Sequence, residues 1–204
     1  NTEGANTNAI SEMLNTKPSS VSDMLKKLSE KGYVNYEKYR KPDLTDKGTK
    51  SAIKIIRKHR LWETFLVEKL GFKWDEVHDI AEELEHVSSD DLTNRLENFL
   101  NFPQFDPHGD PIPDKNGNLQ PHRDYMLGDL KEGETAIIVG VKDSSSAFLQ
   151  YLEKTKLILG VKIKVEEIFE FDQSMNVTIN DKEKAIVTPQ VSKNLYVRKN
   201  NANT

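Results

Sequence analysis

Twelve residues, Asp75-Glu-Val-His-Asp-Ile-Ala-Glu-Glu-Leu-Glu-His86, carry two stripes at once and limit what the surrounding chain can be. At a 3.6-residue period Val77, Ile80, Ala81, Leu84 and Val87 share one apolar face, so the segment is expected to be a helix packed on a neighbour. His78, Glu82, Glu85 and His86, at i, i+4, i+7 and i+8, fall on the adjoining stripe. Imidazoles and carboxylates converging beside a buried face are donors that a divalent metal ion takes. The same stripe would also serve as a solvated acidic face with two incidental histidines. This helix alone does not decide.

The charge of the chain is segregated in a way that its net value of −4 hides. Residues 1–60 carry a balance of +6, residues 61–130 a balance of −11, and residues 131–204 a balance of +1. A basic block followed by an acidic one suggests a polyanion-binding module joined to a cation-binding one. With no cysteine, thiolate metal sites and disulfides are excluded, which fits a cytoplasmic protein. No apolar run approaches the roughly 20 residues of a membrane span, and neither a signal peptide nor a membrane partner is expected.

In the basic block, Asn8 to Leu14 reads as a short helix, broken by Asn15-Thr-Lys-Pro18. Ser19 or Ser20 is expected to cap a second helix with the stripe Val21, Met24, Leu25 and Leu28, stopped at Gly32. Tyr33 to Tyr39 is strand-like, and Arg40-Lys41-Pro42-Asp43 is a basic turn. In this order the parts predict a winged helix-turn-helix over residues 1–45, against the plainer alternative of a helical hairpin followed by a β-turn. The start of the second helix would then enter the major groove of double-stranded DNA with Lys17, Ser19, Ser20, Ser22 and Asp23. Lys26, Arg40 and Lys41 would meet phosphates. A helix-turn-helix core packs three helices, and this chain opens almost at the second without an initiator Met. A preceding helix is therefore expected outside these residues.

Beyond Thr45 a long helix is expected to run to about Leu70, placing His59 and Glu63 one turn apart. Ser88 or Ser89 then caps a helix whose Leu92, Leu96, Phe99 and Leu100 make an apolar face. Two amphipathic helices over residues 75–100 offer more apolar surface than one small module covers, which points to a homodimer.

Three segments carry a resemblance: Arg57-Lys-His-Arg-Leu-Trp-Glu63, the run from Val77 to Asp90, and the loop Asp106-Pro-His-Gly-Asp-Pro-Ile-Pro113. Together they resemble the diphtheria toxin repressor family of metal-dependent repressors, which includes iron-dependent regulators and manganese transport regulators. The resemblance implies one metal site at His59, Glu63 and His78, and another at Glu82, Glu85 and His86 with a further Met or Asp from the first helix. Iron-responsive members tend to have Cys where Glu82 stands, and manganese-responsive members Glu, so Mn²⁺ is the expected cofactor. Fe²⁺ is the alternative, and other divalent transition metals are expected to bind in vitro. In some three-domain manganese members an extra pair and an acidic residue join the first site; Asp106, His108 and Asp143 match those positions. His122 is expected to be a solvated linker histidine.

Residues 114–129 read as a polar linker, and from Leu130 short strands are expected at 134–141, 161–171, 175–179, 185–187 and 195–197, with a helix at 147–156. This resembles the SH3-like β-barrel of three-domain members and sets that domain at 130–199, with residues 200–204 expected to be disordered. The expected fold class is thus α+β and multidomain: a winged helix-turn-helix, an all-α metal-binding and dimerisation domain at 46–113, and the SH3-like barrel. The expected function is a metal-activated dimeric repressor of metal uptake genes on a palindromic operator. Two rivals are a metalloenzyme whose two-site cluster activates water, and a winged-helix protein with permanently filled structural metal sites. No residue stands out as a catalytic partner, so no enzyme activity is expected.

Overall fold

Asn6 opens the first helix, α1 (Thr7–Met13), by accepting the backbone N–H of Ala9 at 2.9 Å. The second, α2, spans Pro18–Glu30. Its cap differs from expectation: Pro18 takes the first helical position, Lys17 is the N-cap without a side-chain bond, and Ser19 and Ser20 lie exposed in the first turn. Proline has no N–H to satisfy and a φ already set for the helix, so it outcompetes the serines for the start. The wing is a two-residue antiparallel pair, β1 (Val34–Asn35) with β2 (Asp43–Leu44). Val21, Leu25 and Val34 form the core, with Ile10, Leu28 and Tyr36 packed against it.

The wing returns to a 25-residue helix, α3 (Asp46–Leu70), through Thr45. Its hydroxyl donates to the Gly32 carbonyl at 2.7 Å and accepts the Gly48 N–H at 3.0 Å. Gly48 is required there, since a Cβ would stand 1.9 Å from the Tyr33 carbonyl oxygen.

This computed structural model describes residues 5–37, 40–87, 89–119 and 125–199, apart from the Val87 side chain. His122 and residues 200–204 lie outside the described residues. The chain divides into two compact units, residues 1–57 and 58–204.

In the second unit α4 (Val77–Val87) lays Val77 and Ala81, both 0% exposed, against Leu66, with Trp62, Val67, Ile80 and Leu84 around them. Ser89 caps α5 (Asp90–Phe99), accepting the Leu92 N–H at 3.1 Å. Leu96 and Leu100 pack with Leu61 and Ile112.

An antiparallel six-stranded sheet follows: β3 (Tyr125–Met126), β4 (Thr135–Val141), β5 (Lys162–Ile168), β6 (Met175–Ile179), β7 (Glu183–Val187) and β8 (Leu195–Lys199), in the order β3-β8-β4-β5-β6-β7. Helices α6 (Ser146–Thr155) and α7 (Pro189–Ser192) lie between strands. β3 pairs with β8, so the sheet begins at Tyr125, inside the stretch read from sequence as linker. Along β4 the ladder to β8 steps from Ile138 to Gly140 while β8 advances one residue, which leaves Val139 as the extra residue of a bulge. No described helix is long and apolar enough to cross a membrane.

Candidate metal centre

His59 and Glu63 sit one turn apart on α3, and α4 runs antiparallel beside them, so Glu85 meets His59 while His78 meets Glu63. Glu63 is the hub, its side chain only 3% exposed. One carboxylate oxygen lies 3.0 Å from His59 Nε2 and 3.5 Å from His78 Nδ1. The other lies 3.6 Å from His108 Nδ1. Two groups with metal-compatible spacing result, His59–Glu63–His78 and Glu63–Asp106–His108, sharing Glu63.

The ring nitrogens turned away from Glu63 are held as well. His59 Nδ1 lies 2.9 Å from Glu85 Oε2, and His108 Nε2 donates to the Trp74 carbonyl at 2.8 Å. Each acceptor fixes a proton on the nitrogen it faces, so the inward nitrogen is the one that would give up its proton and offer a lone pair to a cation. Asp106 holds the loop, with Oδ1 accepting the N–H groups of His108 (2.8 Å) and Asp110 (2.9 Å). Its Oδ2 is 3.5 Å from Arg60 Nε, and Arg60 also donates to the Pro111 carbonyl at 2.6 Å.

Protons stand in this cluster where a cation could. Burial works against a charged His59, but Glu63 and Glu85 more than offset it and raise its pKa. Burial depresses His108 too, yet Glu63, the Asp106 charge and the Trp74 carbonyl lift it to about 9. Burial opposes ionisation of Glu63, and the two histidines override it, bringing the carboxyl to about 2. Asp106 is raised to about 6, by burial first and then by the charges of Glu63 and Asp110. Two buried carboxylates crowded together, beside imidazoles whose inward protons a cation would displace, fit a divalent ion with oxygen and nitrogen preference.

His108, ordinarily at 6.5 and here near 9, contributes stability that is complete below pH 6.5 and is lost as pH rises through 9. Glu63 contributes above its ordinary 4.5, and that is lost as pH falls toward 2. Metal-free protein should therefore melt at progressively lower temperature from pH 6.5 to 9. Across the same window Mn²⁺ affinity should rise, by up to about tenfold per pH unit for each proton displaced. Calorimetric titrations in two buffers of different ionisation enthalpy check this, and binding without proton release would contradict it.

Not every residue singled out from sequence is gathered in. Glu82 and His86 are exposed and belong to neither group of three among the described residues. Glu85 turns to His59, and its other oxygen is 3.9 Å from His86 Nε2. Asp143 is exposed ahead of α6, accepting the Ser145 N–H at 2.9 Å, and stands in neither group. Sequence reading missed Arg60 and Trp74. Arg60 was visible in the Arg-Lys-His-Arg run, one residue past His59; Trp74 acts through its carbonyl, which no residue type betrays.

In the first unit Lys17, Ser19, Ser20, Asp23 and Lys26 are exposed at and after the start of α2, and Ser22 is half-buried. Asp23 and Lys26 pair at 3.3 Å, both largely solvated, which makes the pair a weak one. Arg40 and Lys41 are exposed in the wing, Arg40 lying 3.0 Å from Glu37.

Comparison with known proteins matches residues 2–41 to the iron dependent repressor N-terminal DNA binding domain and residues 45–114 to the iron dependent repressor metal binding and dimerisation domain. Residues 125–199 match the FeoA domain. A solved manganese-dependent transcriptional repressor in complex with manganese superposes with a TM-score of 0.88 at 33% identity, covering 97% of this chain and 92% of that one. The chain belongs to the diphtheria toxin repressor family.

Other members of the family are similar over shorter stretches. The iron-dependent repressor IdeR of Mycobacterium tuberculosis is 40% identical over 51% of this chain and 45% of its own length. The HTH-type transcriptional regulator MntR of Oceanobacillus iheyensis is 38% identical over 48% of this chain and 66% of its own. Those alignments thus span less than two thirds of either relative. The family is one of metal-dependent transcriptional repressors rather than enzymes, which sets aside the reading of the cluster as a hydrolytic centre.

Proposed function

We propose that this chain is a dimeric, Mn²⁺-activated repressor that acts in the cytoplasm on a palindromic operator of metal uptake genes, with Fe²⁺ as the alternative activator. The observation that carries the reading is Glu63, a buried carboxylate ringed by His59, His78 and His108 on a chain that also bears a winged helix. The donors are all imidazole nitrogen and carboxylate oxygen, a set that suits Mn²⁺ and excludes the thiolate chemistry of softer ions.

His59, Glu63, His78, Asp106 and His108 would hold one ion or a close pair, and Glu82, Glu85 and His86 another. A bound cation would supply the positive charge that releases the imidazolium protons and offsets repulsion among Glu63, Glu85 and Asp106. Glu85 reaches His59 from the same helix that carries Glu82 and His86, so occupancy of either site bears on the other. Activation is then a population shift, in which metal favours the DNA-competent arrangement by its higher affinity for it. Leu92, Phe99 and Phe102, exposed by 43%, 64% and 61%, supply the apolar face for the second protomer. Two copies of α2 would occupy half-sites about one helical turn apart.

Replacing Glu82 tests the ligand assignment. Glu82→Ala should abolish metal-stimulated DNA binding while leaving the fold and the ligands of the Glu63 groups in place, so that those groups still take up Mn²⁺. Glu82→Cys should move selectivity toward Fe²⁺ or Co²⁺. Electron paramagnetic resonance of free Mn²⁺, with anisotropy on promoter DNA, reads both. A Glu82→Ala protein that still responds fully to Mn²⁺ would refute the assignment.

A further inference from the structure

His108 is gripped on two sides by the sheet domain. Its carbonyl accepts the Val141 N–H at 2.9 Å, and the next residue, Gly109, packs against the Val139 carbonyl at the β4 bulge. Its ring is governed by Trp74, in the turn before α4. The Trp74 carbonyl takes the Nε2 proton, and the indole lies nearly parallel to the imidazole, centroids 6.3 Å apart at 19°. Trp74 itself packs on the buried core of the sheet. The neighbouring Asp75 is tied to the same domain, accepting Gln150 Nε2 of α6 at 2.9 Å, and α6 is anchored by the fully buried Leu149 and Leu152.

Resting on the metal-site reading above, we infer that Trp74, secured by the sheet core and the Asp75–Gln150 contact, is a positioning residue for His108. Through it the C-terminal domain sets the metal affinity of the Glu63–Asp106–His108 group without itself supplying a ligand. The physical reason is that an imidazole coordinates well only when its second nitrogen is held by a fixed acceptor. A carbonyl is fixed only as firmly as the residue that carries it. Here that residue sits on the surface of another domain's core, so any change that loosens the sheet domain is felt at His108 Nδ1.

The test uses the full chain and Mn²⁺ alone. Trp74→Ala should weaken binding at this group about tenfold, the scale of losing an orienting partner, and leave the His59–Glu63–His78 group unaltered. Trp74→Phe, which keeps a ring on the sheet core, should restore most of it. In a double-mutant cycle Trp74→Ala should add nothing to His108→Ala, because both act through one ring. In metal-free protein a slowly exchanging imidazole Nε2–H resonance should be present in the parent and lost in Trp74→Ala. Gln150→Leu, a surface change that spares the fold, should show the same loss in weaker form, and it carries the test if Trp74→Ala does not fold. Unchanged Mn²⁺ affinity with a retained Nε2–H signal, or additive effects in the cycle, would overturn the inference. If His108→Ala itself leaves Mn²⁺ binding unchanged, the metal-site reading fails and the inference falls with it.

Discussion

Glu63→Gln is expected to lower Mn²⁺ affinity at both ligand groups together, by about 100-fold or more, because one carboxylate serves both. Residues that only orient ligands typically cost about 10–100-fold when removed, and Glu63 faces three imidazoles directly. The metal-free protein should change in a characteristic way too. Without the Glu63 charge, the desolvation that opposes a charged His108 loses its strongest counterweight, and its pKa falls from about 9. The decline in stability between pH 6.5 and 9 should then flatten. Thermal melts across that range, with Mn²⁺ titrations at pH 7.5, measure both effects. Loss of one class of bound Mn²⁺ with the other intact would show that the groups do not share Glu63.

Gly109→Ala should be the most damaging single methyl in the second unit. Gly109 has φ +88°, and a Cβ would stand 2.1 Å from the Val139 carbonyl oxygen and 2.4 Å from the Gly140 Cα, backbone atoms that cannot swing aside. Either the loop lifts from β4 or the bulge opens, at a cost of about 3 kcal/mol or more. His108 lies one residue away, so Mn²⁺ binding at the Glu63–Asp106–His108 group should fall while the group containing His78 keeps most of its affinity. Urea unfolding and metal titration of the same variant check the two halves. A stability change within about 0.5 kcal/mol, the range of an ordinary surface substitution, would show that the loop does not dock as described.

Much of the fold was legible because periodicity and punctuation agree. The stripe Val77–Ala81–Leu84 demanded a packed helix, and Val77 and Ala81 are fully buried in it. The i, i+4 spacing alone puts His59 beside Glu63 on one helix face, and the two meet at 3.0 Å. Where reading from residues fell short, the cause was tertiary or main-chain. Pro18, not a serine, starts α2 because a missing N–H costs nothing there. Glu85 shares a helix face with Glu82 and His86 but bonds to His59, a choice made by the neighbouring helix. β3 hides at the end of a polar stretch because two residues carry no periodicity, and only β8 reveals it. Trp74 and Val139 act through carbonyls, for which every residue type looks alike.

The most direct measurement is fluorescence anisotropy of the full-length protein on promoter DNA at fixed salt, with and without Mn²⁺. Fixed salt matters because phosphate contacts make the affinity steeply salt-dependent. Mn²⁺ should tighten binding by about 10-fold or more, within the coupling of about 1–3 kcal/mol usual between linked sites. The Glu63→Gln protein should bind as weakly as the metal-free parent. Equal affinity in the presence and absence of Mn²⁺ would contradict metal activation outright.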